Sequence, residues 1–141
     1  MERISKDRYY LEIAKTVSLR STCLKRKYGC VIVKNDEIIA TGYNGSARGE
    51  LNCSDIHNNI CPRMDKPHNS GDYSDCPAVH AEQNAMLSAS RKEMIGSTMY
   101  LYLFDSGSKN DAVAEPCPIC MRMIKNAGIK KIVNYAGEIC L

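Results

Sequence analysis

"CPAVHAEQNAM", residues 76–86, is where a polar, aperiodic run of chain gives way to a helix-forming one, and it decides how the sequence around it is read. From His80 to Arg91 the residues are mostly Ala, Glu, Gln, Met and Leu, which favour helix. Cys76 and His80 stand four residues apart, a spacing at which both could grip one metal ion. Glu82 follows His80 by two, where a carboxylate can move protons beside a metal. Whether these side chains form one site, two or none depends on the elements on either side.

Downstream, "TMYLYLF" (98–104) predicts a strand and residues 105–114 a loop. Pro118 to Ala127 predicts a helix that ends at Gly128, with Pro118 in the first turn, where its missing N–H costs nothing. "KKIVNY" (130–135) predicts the last strand. Upstream, residues 5–19 predict an amphipathic helix with Ser5 as N-cap and Tyr9, Ile13, Ala14 and Val17 on its buried stripe. "GCVIVKNDEIIATG" gives two β-branched runs around Lys34–Glu37, the signature of a hairpin. Between Tyr43 and Pro77 the apolar residues have no period, and a loop this long in a compact domain is functional or tied down. The order ββαβαβ after an opening helix predicts one layered α/β domain over residues 1–141, with no internal repeat.

Composition excludes several classes of function. With 44% hydrophobic and 25% charged residues the chain is an ordinary globular one, and a net charge of +3 is too small to argue for a nucleic-acid or membrane partner. Lys25, Arg26 and Lys27 form a short basic run, read as a solvated turn or as a contact for a small-molecule phosphate. "MERISKDRYYLEIAKTV" alternates charged and apolar residues, so it is neither a secretory signal nor a membrane span, and a cytoplasmic location is expected. In a reducing compartment the eight cysteines read as metal ligands or buried apolar residues rather than disulfides.

"EPCPIC" (115–120) answers the question raised by His80. Cys117 and Cys120 are three apart at a helix start and so share one face, where free amides and the helix dipole favour thiolates. Joined by His80 they make three protein ligands, the number at a catalytic zinc that keeps its fourth position open. Zinc lowers the pKa of a bound water from about 16 to roughly 7, and Glu82 is placed to take that proton and hand it to a leaving group. Read singly, His80 is a buried histidine and the Cys-x-x-Cys pair a redox or structural motif. Read together, His80-Ala81-Glu82 and Pro116-Cys117-Pro118-Ile119-Cys120 are the signature of the zinc nucleobase deaminases.

"RSTC" (20–23), "IIATGYNGSARG" (38–49), "VHAEQNAM" (79–86) and "MIKNAGIKKIV" (123–133) extend the likeness, and together they resemble the deoxycytidylate deaminases. The resemblance runs through nearly the whole chain and is weakest at 54–75 and 105–114. "GYNG" separates this family from the tRNA adenosine deaminases better than "HAE", which the superfamily shares. The resemblance implies a three-layer α/β/α cytidine deaminase-like fold with a central mixed sheet of four to five strands. It implies zinc-dependent hydrolysis of dCMP to dUMP and ammonia, with His80, Cys117 and Cys120 holding zinc and Glu82 shuttling the proton. Asn44 and Ala81 would contact the substrate, and Gly42 and Gly45 would allow an unusual turn around Asn44. Arg26, Lys27 and Arg48 are the candidate phosphate contacts, and Arg91 the candidate for a nucleotide-responsive interface. Family members are typically homo-oligomers, often hexamers, and many answer to dCTP and dTTP.

With His80 assigned, Cys23, Cys53, Cys61 and Cys76 are left with His57 and His68. Some relatives carry a second, structural zinc in this region, and the resemblance matches two of its ligands to Cys23 and Cys53. A closed four-cysteine site would pin the long loop, with His57 as a substitute for Cys61; separate half-buried thiols are the alternative. Cys30 and Cys140 receive no function. Two departures stand out: relatives commonly lack the "DSGSKNDAVA" insertion (105–114), and many continue beyond Tyr135 with another strand or helix that supplies a residue elsewhere. The rival readings are a deaminase of another cytosine nucleotide, a nucleoside or a tRNA base, and a non-catalytic zinc module. Glu82 speaks against the last, because a structural site needs no such carboxylate.

Overall fold

The structure, a computed structural model, describes all 141 residues. Helix α1, Lys6–Ser18, is N-capped as expected, with the Arg8 amide donating to Ser5 Oγ at 3.1 Å. Of the expected stripe, Ala14 is buried and Ile13 and Val17 pack half-buried beside it, but Tyr9 is 48% exposed, and Tyr10, Leu11 and Ser18 take the buried positions. Both sets have helical spacing; the sheet's tyrosines select the face, since Tyr10 stacks at 5.0 Å between ring centroids on Tyr100.

Strands β1 (Arg26–Lys34) and β2 (Glu37–Tyr43) form the expected hairpin. Asn35 and Asp36 both have positive φ, 52° and 63°, as a two-residue type I′ turn demands and as Asn and Asp tolerate. The stretch expected to be aperiodic holds three short elements: β3 (Gly45–Ser46), α2 (Cys53–Ile56) and β4 (Ala78–Val79). β3 pairs antiparallel with β4, Gly45 opposite Val79, which seats Asn44 near the residues that lead into His80.

Helix α3 covers Ala81–Leu87 and is shorter than expected. Ser90 ends the run by capping a separate turn, α4 (Arg91–Met94), where its hydroxyl accepts from the Glu93 amide at 3.1 Å. Next come β5 (Thr98–Asp105), β6 (Asn110–Ala112), α5 (Pro118–Ala127), β7 (Lys131–Asn134) and β8 (Gly137–Cys140). Gly128 closes α5 at φ 85°, as a left-handed C-cap requires.

The main sheet is six-stranded in the order β2-β1-β5-β7-β8, with β6 paired to the far end of β5. Only β5 and β7 run parallel, so the sheet is mixed. The expected four to five strands fall short because β6 and β8 were read as loop and tail. "NDA" and "GEIC" are too short and too polar to alternate, and they exist as strands because β5 and β7 offer them unpaired backbone. After Tyr135 the chain forms the strand β8, Gly137–Cys140, antiparallel to β7.

The two faces are filled by alternation along β1 and β5. Cys30, Ile32, Met99, Leu101 and Leu103 point toward α3, α4 and α5. Val31, Val33, Tyr100 and Tyr102 point toward α1, which makes three layers. On the α1 side each tyrosine hydroxyl finds a carboxylate: Tyr10 that of Asp36 at 2.6 Å, Tyr100 that of Asp7 at 3.0 Å, and Tyr102 that of Asp111. No helix is long and apolar enough to cross a membrane.

Candidate active site

Two helix starts meet on the α3 side of the sheet. His80 immediately precedes α3, where its backbone N–H donates to Gln83 Oε1 at 2.9 Å. Cys117 is the N-cap of α5, its sulfur accepting from the Cys120 amide at 3.4 Å, and Cys120 lies in the first turn. His80 Nδ1 is 3.3 Å from Cys120 Sγ and 3.7 Å from Cys117 Sγ. Zinc bonds of about 2.3 Å to sulfur and 2.1 Å to nitrogen, at a tetrahedral angle, place S and N about 3.6 Å apart. The donor set fits a zinc ion in spacing and in kind. These are the His, Cys, Asp and Glu residues that bring three ligand atoms within 4.8 Å of one another.

The electrostatics point the same way. Burial pushes the Cys120 thiol far above its ordinary range, and the neighbouring Glu82 and Cys117 push it further. Burial also holds the His80 imidazole below its usual value, so it is neutral and ready to be a ligand. A buried thiol pressed this way ionises only against a cation. Glu82 is 3% exposed, and burial raises its carboxyl above the usual range despite a hydrogen bond with Cys120. It therefore lies beside the ligands and not in bulk water, where a proton carrier is useful.

What lets α3 approach the sheet is Gly42 on β2. A Cβ there would lie 2.4 Å from both Ala81 O and Ala85 N. Gly42 and Gly45, expected to allow an unusual turn, have no positive φ; their value is space, since a Cβ on Gly45 would strike Thr22 Oγ1 at 2.4 Å. Ala81, fully buried, is the residue packed on Gly42.

A cavity of about 430 Å³ opens over Glu82 and His80, within the span of about 300–1,000 Å³ usual for small-molecule sites. Asn44 forms part of its floor, yet most of its amide is spoken for. Oδ1 accepts from Ser21 Oγ at 2.6 Å and from the Tyr28 amide at 2.9 Å, while Nδ2 donates to Arg26 O at 2.8 Å. One Nδ2 proton remains for a ligand. Arg26 lines the cavity too; its guanidinium faces Asp105 at 3.8 Å, and its buried Nε has no hydrogen-bond partner. Tyr28 stands beside it, its phenol pushed up to about 12 by burial. His68 completes this corner, held below its usual pKa first by burial and then by Arg26 and Lys25. A smaller recess of about 200 Å³ adjoins, where Leu103 and Val113 meet Arg26, Tyr28 and His68.

The remaining candidates divide. Arg48 is exposed and outside the cavity, and Lys27 Nζ bonds the Ser21 and Cys23 carbonyls at 3.2 and 3.4 Å. Arg91 is exposed on α4 and ties it to α5 through Asn126 O at 3.2 Å. Cys23, Cys61 and Cys76 line one wall of the cavity, with Cys53 buried nearby. The thiol of Cys53 is raised to about 11, chiefly by burial and then by the other three. His57 Nε2 is hydrogen-bonded to Asp75 O at 2.9 Å. Lys25 of the basic run lines the cavity as well, together with Tyr28, Arg63, Asn69, Tyr73 and Glu115, for which the sequence carries no expectation. Arg63 sits two residues after Cys61, in the stretch expected to be functional or tied down, but nothing in the sequence marks it further.

The family model described as the zinc-binding region of cytidine and deoxycytidylate deaminases matches residues 4–136. A deoxycytidylate deaminase of Schizosaccharomyces pombe is 39% identical over 136 residues, covering 96% of this chain but 38% of that protein. A deoxycytidylate deaminase of mycobacteriophage D29 is 37% identical over 139 residues, covering 94% of this chain and 96% of that one. Among solved structures, the dCMP deaminase of cyanophage S-TIM5 in complex with dCMP and dUMP superposes with a TM-score of 0.65 at 28% identity, over 92% of this chain and 82% of that one.

Proposed function

The chain belongs to the cytidine and deoxycytidylate deaminase family, and from that premise we propose that it hydrolyses dCMP to dUMP and ammonia. The observation that carries the reading is the buried Glu82 beside the facing His80, Cys117 and Cys120, at the base of a cavity that Arg26 also lines. Zinc held by His80, Cys117 and Cys120 supplies the acidification of water near neutral pH.

This chain's own residues do the rest. Glu82 accepts a proton from water, whose oxygen adds to the amino-bearing ring carbon of cytosine. The same carboxyl delivers that proton to the adjacent ring nitrogen, then assists protonation of the departing amine. One water is consumed, one ammonia leaves, and the ring keeps a carbonyl. The remaining Nδ2 proton of Asn44 is offered to the sugar, and Ala81, packed under the first turn of α3, to the base. Arg26, with His68 behind it, receives the 5′-phosphate; Arg is suited to this by its forked donors. Arg48 does not line the cavity and is left out of that role, and Arg91 is kept as the candidate for a nucleotide-responsive interface.

The tests run side by side: ammonia release from dCMP, dCTP, deoxycytidine and a tRNA hairpin. Preference for dCMP is expected, and preference for any other member of the panel overturns the substrate assignment. Repeating the dCMP assay with dCTP and dTTP added, and measuring mass in solution, tests effector response and a homo-oligomer.

A second, structural zinc at Cys23, Cys53, Cys61 and Cys76 is part of the same proposal. Its support is a shared device: the Arg26 amide donates to Cys23 Sγ at 3.5 Å and the Arg63 amide to Cys61 Sγ at 3.4 Å, as the Cys120 amide does at Cys117. Metal analysis of the purified protein should find two zinc ions per chain, and one would overturn this part.

A further inference from the structure

Arg63 is 4% exposed, and none of the salt bridges in the chain involves it. A buried guanidinium without a carboxylate is costly unless its protons are otherwise satisfied. Here backbone oxygens satisfy them. Nη1 donates to Asp72 O at 3.0 Å, and Nη2 to Pro67 O at 3.3 Å, to Ser70 O and to Ser70 Oγ at 3.3 Å. The guanidinium also lies over the ring of Tyr73, 3.6 Å from its centroid. One side chain thus holds residues 67, 70, 72 and 73 at once.

That segment has little else to fix it. It contains no helix or strand, and its own bonds are short-range, such as the Asn69 amide to Tyr73 Oη at 2.7 Å. Yet it supplies a wall of the cavity through His68, Asn69, Gly71 and Tyr73. A second cation ties the wall to the sheet. Lys25 Nζ, just before β1, donates to Arg63 O and to Lys66 O, both at 2.7 Å. Lys25 O in turn accepts from the Ser106 amide at 3.1 Å and from Ser106 Oγ at 2.5 Å. The insertion, the root of β1 and the loop are joined through one residue.

We propose that Arg63 is a positioning residue for the substrate: its guanidinium, with Lys25 behind it, sets residues 67–73 as the cavity wall that carries His68 and Asn69 to the phosphate end of the bound nucleotide. The inference rests on the deaminase reading above. It assigns Arg63 to binding and not to the chemical step, which belongs to Glu82.

The test uses the full chain with its zinc and two variants. Arg63→Gln removes the cation; Arg63→Lys keeps it, and with it the fold, but an ammonium lacks the fork needed to reach all the carbonyls together. Kinetics use whichever cytosine compound the wild-type protein turns over fastest. Both variants should raise KM about tenfold or more with kcat nearly unchanged, the pattern of lost binding without lost chemistry. Amide hydrogen exchange, which needs no turnover, should show residues 67–73 losing protection in both variants while β5 keeps its own. Wild-type KM in either variant, or undiminished protection of 67–73, overturns the proposal. Failure of the deaminase reading shows separately, as absence of ammonia release by the wild-type chain, and the exchange experiment then decides the role of Arg63 alone.

Discussion

Gly42 and Ala81 are in contact through their backbones: a Cβ on Gly42 would stand 2.4 Å from the Ala81 carbonyl oxygen. Neither atom can give way without moving the start of α3, which carries both His80 and Glu82. Gly42→Ala should cost about 1–3 kcal/mol, as overpacking does, and lower zinc content together with activity. Thermal unfolding and metal analysis of the variant check both effects; a variant with wild-type melting and zinc content would contradict the contact.

Glu82→Gln keeps the shape of the side chain and removes its proton traffic. Deamination should fall about 10²- to 10⁴-fold, the usual range for a general acid–base. Zinc at His80, Cys117 and Cys120 should be retained, which metal analysis reads independently of rate. Retention of more than a tenth of the activity would remove Glu82 from the chemistry.

Asn44 is a knot as much as a ligand. Asn44→Ala leaves the Ser21 hydroxyl, the Tyr28 amide and the Arg26 carbonyl short of a partner, which should cost about 1–3 kcal/mol for each group that water cannot reach. Asn44→Asp keeps the acceptor but loses the donor. It should fold better than the alanine variant and still bind substrate poorly. Comparing melting temperature with KM in the two variants separates the two duties.

The two proposed metal positions should respond differently to loss of one thiol. Cys117→Ser should abolish turnover and remove one zinc while leaving the loop 61–76 ordered. Cys61→Ser should remove the other zinc and raise susceptibility to proteolysis within that loop, with Glu82 and the catalytic ligands intact. Metal content paired with limited proteolysis distinguishes the outcomes, and equal behaviour of the two variants would argue for one shared ion.

His68 provides a pH test. Its pKa in the folded protein lies below its unfolded value, first through burial and then through Arg26 and Lys25. The unfolded chain therefore takes up the proton first as pH falls, and the stability His68 contributes is present above about 6.5, the ordinary histidine value, and is lost as acid is added through and below it. His68→Gln should flatten that part of the stability profile, and NMR titration of the ring should show a midpoint below the ordinary one. A midpoint at or above it in the free protein would refute the placement.

The proposed zinc ligands were legible in the sequence because each is tied to a helix start: His80 before α3, Cys117 and Cys120 across the first turn of α5. The i, i+3 spacing alone brings those two sulfurs together. The hairpin turn was legible for a similar reason, since Asn35 and Asp36 announce positive φ. Arg63 was not, because its partners are backbone carbonyls, and a carbonyl has no identity in a sequence. Gly42 and Gly45 were seen and misread: a glycine marks either freedom or crowding, and only packing tells which. Arg48 is a candidate by charge, but the fold turns it outward from the cavity, while Arg91, a candidate by resemblance, stands exposed on α4. β6 and β8 escaped because their partners, not their composition, make them strands.

The phenol–carboxylate pairs on the α1 side have a reach beyond their own layer. Asp111, held by Tyr102 and approached by Lys15 at 3.6 Å, belongs to β6, and two residues later Val113 borders the recess beside Arg26 and His68. The entrance to the site is thus moored from the far side of the sheet. Altered selectivity can arise from residues that no ligand touches, and a screen for it should include the back of the molecule, starting with Tyr102 and Lys15.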